Sequence, residues 1–238
     1  MRICLPLLFA LALAAPAARA ACPPAGWDAP KLQALKESNF VVEDADARTK
    51  LANGLLDCLA SPDPSLRDGI AFEAWQTWLR AGQLDEATRR AALGRLQSQL
   101  AGTKDRRGFE VPFSALVLSE VARTDRIKPW MTPEERGAMV EAASRYLSSV
   151  TDYRGFDDKE GWRHGVAHGS DWLMQLAMNP ALDRGQLDRI LAAVATQVVP
   201  TQAHGGSARP GVRHEECRFA PRIPGPARRS PGLSSWCR

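Results

Sequence analysis

The sequence predicts an all-α protein built from stacked antiparallel helix pairs, and three observations carry that expectation. Apolar residues recur at spacings of three and four from about residue 44 to residue 199, as in Leu51, Leu55 and Leu59 and again in Val140, Ala143, Leu147 and Val150, which is the period of an amphipathic helix. Helix starts are marked by capping residues, and no run of alternating residues argues for a strand. A short motif also returns: Asp105-Arg106-Arg107-Gly108-Phe109 is echoed 47 residues later by Asp152-Tyr153-Arg154-Gly155-Phe156.

Taken from the N-terminus, Arg2 and the apolar run 3–15, followed by Ala18-Arg19-Ala20, have the make-up of a secretory signal covering residues 1–20. A membrane-spanning helix needs about 20 apolar residues, more than this run holds, and no later stretch is long and apolar enough. Cys22 raises a lipid anchor as the alternative, but Arg19 stands where the corresponding motif carries Leu or another apolar residue. A soluble periplasmic or secreted protein is expected. Beyond the signal four cysteines remain, Cys22, Cys58, Cys217 and Cys237, which in an oxidising compartment allow three pairings. Cys22–Cys58 is the expected bridge, because both lie in the regular part of the chain.

The helix starts come next. Asp63-Pro64 places proline in the first turn of a helix over 66–80. Thr132-Pro133-Glu134-Glu135 combines an N-cap, an early proline and a capping-box glutamate. Asp183 with Gln186 makes another box, flanked by Leu182 and Leu187 as a hydrophobic staple, and opens a helix over 183–199. The starts at Leu84-Asp85 and Met131-Thr132 share the 47-residue interval of the motif, and Leu182-Asp183 follows after 51. Two-helix units of about 40–47 residues are the period of HEAT-like α-solenoids, in which each pair buries its apolar face only by stacking on its neighbours. Residues 55–68 read as the turn of one such unit. An ordinary helical bundle with a chance five-residue match is the alternative. Trp75, Trp78, Trp130, Trp162 and Trp172 are expected in the core and between repeats.

Residues 201–238 break the pattern. They hold seven Arg, five Pro and five Gly without helical periodicity, a composition expected to be disordered. They read either as a genuine basic arm or as an incidental, frameshifted C-terminus. They also account for the formal charge of +4. Setting aside Arg2, Arg19 and the tail's seven arginines, with Glu215 and Glu216, leaves 22 basic and 25 acidic residues in the helical-repeat domain 21–200. That domain is mildly acidic, so no nucleic-acid partner is expected.

One segment stands out: Asp157-Asp158-Lys159-Glu160-Gly161-Trp162-Arg163-His164-Gly165-Val166-Ala167-His168-Gly169-Ser170-Asp171. Asp157 and Glu160 have capping-box spacing, which predicts a helix beginning there. Gly161, Gly165 and Gly169 would line one side of it, each costing up to about 1 kcal/mol against Ala in a helix interior. His164 and His168, the only histidines in 21–200, would share a stripe with Asp171 and Gln175 within about 60° of arc. Trp162, Val166, Leu173 and Leu176 would face the core. A His-x-x-x-His pair can hold a divalent transition metal such as zinc. Asp171, about 10.5 Å along the axis from His164, fits better as a partner orienting His168. The segment lacks the glutamate of His-Glu-x-x-His, and the chain has no serine-nucleophile motif, phosphate loop or Cys-x-x-Cys.

Gly161-Trp162-Arg163-His164-Gly165-Val166-Ala167-His168-Gly169-Ser170-Asp171, with Arg154-Gly155-Phe156 before it, resembles the bacterial family DUF2785, which has no assigned activity. The resemblance runs from roughly residue 30 to residue 199. It implies an all-helical, HEAT-like protein with this motif as its hallmark, and further helix beyond 200–204, where this chain turns into its tail.

The leading functional expectation is an exported binding module for a protein or peptide partner. Its polar groove would be formed by Arg154, Asp157, Trp162, His164, His168 and Asp171. The alternative is a metal-dependent hydrolase with His164 and His168 as ligands and Asp157, Asp158 or Glu160 as base. A purely structural segment is the third reading.

Overall fold

The computed structural model describes residues 22–101 and 105–198; the expected signal and tail lie outside the described residues. The described chain is mostly helical, with one two-stranded sheet. None of its helices is long and apolar enough to cross a membrane.

Local chemistry sets the helix ends. Asp28 caps α1 (Ala29–Glu37) through Lys31 N, and Asp44 caps α2 (Ala45–Leu55) through Ala47 N. A 3-10 turn, Leu56–Ala60, places Cys58 against the N-terminal segment, and Cys22 and Cys58 are bonded with their Cα atoms 5.1 Å apart. The helix expected over 66–80 starts at Asp63 as α3 (Pro64–Leu66). It widens into a π-helical stretch, Arg67–Phe72, and continues as α4 (Glu73–Arg80). The remaining helices are α5 (Glu86–Ala101), α6 (Glu110–Ile127), α7 (Pro133–Ser149), α8 (Gly165–Ala177) and α9 (Arg184–Val198). Thr132 and Glu135 form the reciprocal capping box on α7, and Asp183 and Gln186 do the same before α9.

α6 is the central helix. Twelve of its eighteen residues are buried, and it packs against α4, α5 and α8. Trp75 and Trp78 are fully buried on α4, their indole N–H groups donating to Ala52 O and Phe40 O. Trp172 is buried too, whereas Trp162 is not.

The structure departs from expectation between α7 and α8. No helix begins at Asp157. Phe156–Asp157 (β1) and Gly161–Trp162 (β2) instead form an antiparallel hairpin, with Phe156 opposite Trp162 and Asp157 opposite Gly161. Asp157 does cap, but it caps a turn: its Oδ1 accepts the N–H groups of Lys159 and Glu160. Helix is interrupted by Gly161 at φ +74° and His164 at φ +50°, both left-handed. The Asp-x-x-Glu pattern therefore satisfied a local turn rather than a helix end.

At the far end of α6, Asp125 gathers four elements. Its carboxylate accepts from Arg136 Nε (2.8 Å) and Nη2 (3.1 Å), from the backbone N–H of Trp130 and Met131, and from Asn179 Nδ2 at 2.8 Å. Burial pushes its pKa up, but the Arg136 and backbone hydrogen bonds outweigh that and hold the carboxyl below its ordinary value. Asp125 thus stabilises the fold fully above its unfolded pKa, about 3.9, and that stabilisation is lost as pH falls through the lower folded value. Asp125→Ala, which strands Arg136 in the interior, is expected to cost about 3–5 kcal/mol in urea unfolding at pH 7. A loss below about 1 kcal/mol, the scale of a surface ion pair, would contradict this role.

Candidate functional site

The segment singled out in sequence is organised around Arg67, a residue that sequence reasoning passed over. Its side chain is completely buried. The guanidinium lies 4.0 Å above the Phe109 ring and 4.8 Å from that of Phe113, and donates to Ser61 O and Glu160 O at 2.9 and 2.8 Å. Asp68 Oδ1 is 2.6 Å from Nε, a charge contact rather than an aligned hydrogen bond. Burial lowers the Arg67 pKa and Asp68 opposes the shift. Arg163 joins this cluster, its guanidinium 4.6 Å from the Phe109 ring. It donates to Arg107 O and, at 2.6 Å, to Glu160 Oε2.

Arg67 explains the hairpin. A Cβ on Gly161 would come 3.0 Å from Pro64 Cβ and 3.1 Å from Arg67 Nη2, so the Gly161 face of β2 lies on the protein body. By alternation the Phe156 and Trp162 side chains face outward, 57% and 38% exposed. Trp162 is packed between Phe156, at 5.1 Å, and the His164 ring, at 4.0 Å.

The histidines do not form the expected stripe. His164 is the left-handed N-cap residue of α8, and its ring lies under Trp162. His168 is 6% exposed and turned toward α6, edge-on to Phe113 at 4.9 Å. Its Nδ1 is 3.2 Å from Pro112 O. A carbonyl only accepts, so Nδ1 carries the proton. The two rings are 5.7 Å apart. Asp171 makes no hydrogen bond to His168; burial, then the charge of Glu120, pushes its pKa up. Gln175 accepts from Arg126 instead. Among the described residues no three His, Cys, Asp or Glu side chains converge as a metal site, and the buried His168 ring is already held by α6. The glycines also divide. Gly161 lies against Arg67, whereas a Cβ on Gly169 would meet the Tyr146 ring at 2.9 Å and Leu147 at 3.0 Å, so α8 closes tightly on α7.

A cavity of about 560 Å³ reaches the segment at Arg163 and Gly165. It lies between α5, the start of α6, the end of α7 and the stretches 150–152 and 163–165. Its volume falls within the range of small-ligand sites. Leu100, Val111, Pro112, Ala142 and Val150 give it apolar surface; Asp105, Asp152, Arg163 and Tyr146 supply the polar part. The two copies of the sequence echo meet here. Arg154 grips Asp152 through Nε and Nη2 and reaches Arg107 O, joining the second copy to the first. Asp105 accepts the N–H groups of Gly108 and Val111 at the start of α6. The Arg154 guanidinium holds the Asp152 carboxyl below its ordinary range. Burial first, then the charges of Asp105 and Asp152, push the Tyr146 phenol up.

With this geometry in hand, the family comparison is specific: residues 96–204 match the family model DUF2785, described as a protein of unknown function. This stretch is similar to the DUF2785 family. No curated protein and no solved structure matches the chain. The DUF2785 region begins within α5 and includes Phe109, the hairpin and both histidines, while Arg67 comes from outside it. The five-residue echo and the glycine-rich segment marked the region's residues in sequence. Nothing in the spacing around Arg67 marked that arginine.

Two outcomes are expected. Arg67→Ala removes a buried cation from Asp68 and leaves Ser61 O and Glu160 O without their donor, a loss of about 3–5 kcal/mol. Amide hydrogen exchange in 156–164 should accelerate before the rest of the DUF2785 region opens; uniform protection would refute the tie. Burial, then the neighbouring charge of His164, lowers the His168 pKa to about 4. The unfolded chain therefore takes up the proton first, near pH 6.5, and stability falls as pH drops from there through about 4, by up to about 3 kcal/mol. His168→Gln should flatten that part of the stability-against-pH curve, and an unchanged curve would place the titration elsewhere.

Proposed function

We propose that the protein is an exported helical-repeat binding protein that takes a short peptide segment of a partner into the cavity between α5, α6 and α7. The observation that carries this reading is the cavity itself. Its polar walls are fixed by bonds made within the protein, so the space is shaped in advance of a ligand and binding costs little ordering. The HEAT-like reading is supported by the packing of α4 with α6, α6 with α8 and α7 with α9, which is how stacked helix pairs share a core. Export is supported by the make-up of residues 1–20 and by the Cys22–Cys58 bond, since such bonds persist in oxidising compartments.

One experiment addresses both parts. The full chain, expressed in a bacterial host with its own N-terminus, is recovered from the periplasm and titrated with a library of capped hexapeptides. The expected protein starts at Ala21, has Cys22 and Cys58 oxidised, and binds a subset of peptides saturably. Ala142→Trp and Ser149→Trp, which fill the cavity and its rim, should abolish that binding while leaving the circular dichroism spectrum unchanged. Peptide binding unaffected by both variants would remove the cavity as the site, and an uncleaved cytoplasmic product would remove export.

A further inference from the structure

The polar wall of the cavity gathers around one residue. Gly108, at φ +77°, donates its N–H to Asp105 Oδ1 at 2.9 Å. A Cβ added to it would lie 2.7 Å from Asp152 Oδ2 and 3.4 Å from Arg163 Cδ. An acid and a base from separate stretches of chain thus flank the same α-carbon, where glycine leaves room for both. All four residues line the cavity. Charge there is balanced, Asp105 and Asp152 against Arg163 and Arg145. Two of these groups are fixed in place and still have bonding capacity. Arg163 is 7% exposed, and it is held by Arg107 O through Nε, by Glu160 through Nη2 and by the Phe109 ring. Its Nη1 makes no hydrogen bond among the described residues. Each oxygen of Asp105 accepts one backbone N–H, from Gly108 and from Val111, and keeps a second lone pair. A donor and an acceptor are therefore both preset beside Gly108, and Gln97 and Thr151 add side chains that can act as either.

We propose, resting on the peptide-binding reading above, that the cavity selects the side-chain carboxamide of a glutamine. Its methylenes lie against Leu100, Val111, Ala142 and Val150. Its C=O accepts from Arg163 Nη1 and its NH2 donates to Asp105. A carboxamide carries both functions on one uncharged group, which is what a wall of mixed sign can satisfy. A carboxylate that reaches Arg163 also meets Asp152, and an ammonium that reaches Asp105 also meets Arg163. Either ion gives up hydration for attractions that largely cancel, a loss that a neutral amide does not incur on the same scale.

The test uses five capped pentapeptides, acetyl-Gly-Gly-X-Gly-Gly-amide with X as glutamine, glutamine dimethylated on its amide nitrogen, norleucine, glutamate or lysine. Each is titrated into the full chain and followed by the amide shifts of 105–111 and 149–152. Glutamine should bind about tenfold more tightly than norleucine, as hydrogen bonds to charged groups predict. The dimethylated form, which keeps the C=O and has no N–H, should lose most of that advantage. Glutamate and lysine should both bind more weakly than glutamine. Since neither glutamine nor norleucine is charged, the preference between them should hold within about twofold from about 20 mM to about 500 mM salt. Ala142→Trp should remove the response. Equal binding of glutamine and norleucine, or tighter binding of glutamate or lysine, overturns the carboxamide proposal while leaving the cavity a peptide site. A glutamine response that survives Ala142→Trp overturns it by placing the contact elsewhere. Shifts in none of the five titrations overturn it too, and the hexapeptide library then decides whether the cavity binds peptide at all.

Discussion

The Arg67 guanidinium carries a full charge to a place with no solvent contact, and its surroundings are arranged to offset that cost. Two phenyl rings supply their negative faces, two backbone carbonyls accept its N–H groups, and Asp68 lies beside Nε. Placing a charge in such an environment costs several kcal/mol unless it is paired and hydrogen-bonded. The partners come from residues far apart in sequence, since Ser61 precedes the arginine by six positions and Glu160 follows it by 93. Satisfying this one group therefore fixes where the hairpin meets the N-terminal helices. It requires glycine at 161, turns Phe156 and Trp162 outward, and sets the path by which the chain enters α8.

A second buried charge works at the opposite end of α6. Asp125 joins the α6–α7 connection, the first turn of α7 and the α8–α9 connection through five hydrogen bonds. The central helix is thus held near one end by a cation pressed on its first-turn aromatics and at the other by an anion at its last turn. Between them most of its residues are buried, and α4, α5 and α8 pack on it. The cavity lies near the Arg67 end, where α5 and α7 flank the start of α6 and the two echoed loops close the gap.

The echo has a spatial meaning that periodicity alone did not supply. Its two copies touch: Arg154 of the second donates to Arg107 O of the first, and Asp152 lies over Gly108. The capping boxes at Thr132 and Asp183 were legible because such caps are closed by residues three positions apart. The same local logic misread Asp157, because an aspartate that accepts N–H groups two and three residues on serves a turn as well as a helix start. The choice between them was made by Arg67 and by left-handed residues at 161 and 164. The placing of the two histidines on one stripe failed with it, and so did the burial of Trp162.

By itself the sequence determined the helical class, the places where most helices begin, and the glycine- and histidine-bearing motif that carries the DUF2785 resemblance, though the family match covers 96–204 rather than the expected 30–199. These follow from interactions within a few residues: the 3.6-residue period, capping side chains and proline in a first turn. The tertiary structure alone decided which residues surround the candidate site. The Arg67 wedge, the burial of His168 against Pro112, the outward aromatic face and the carboxylates flanking Gly108 all depend on contacts spanning tens of residues. Such contacts form where buried charges and hydrogen-bonding groups must find partners, and no local pattern specifies which partners those are.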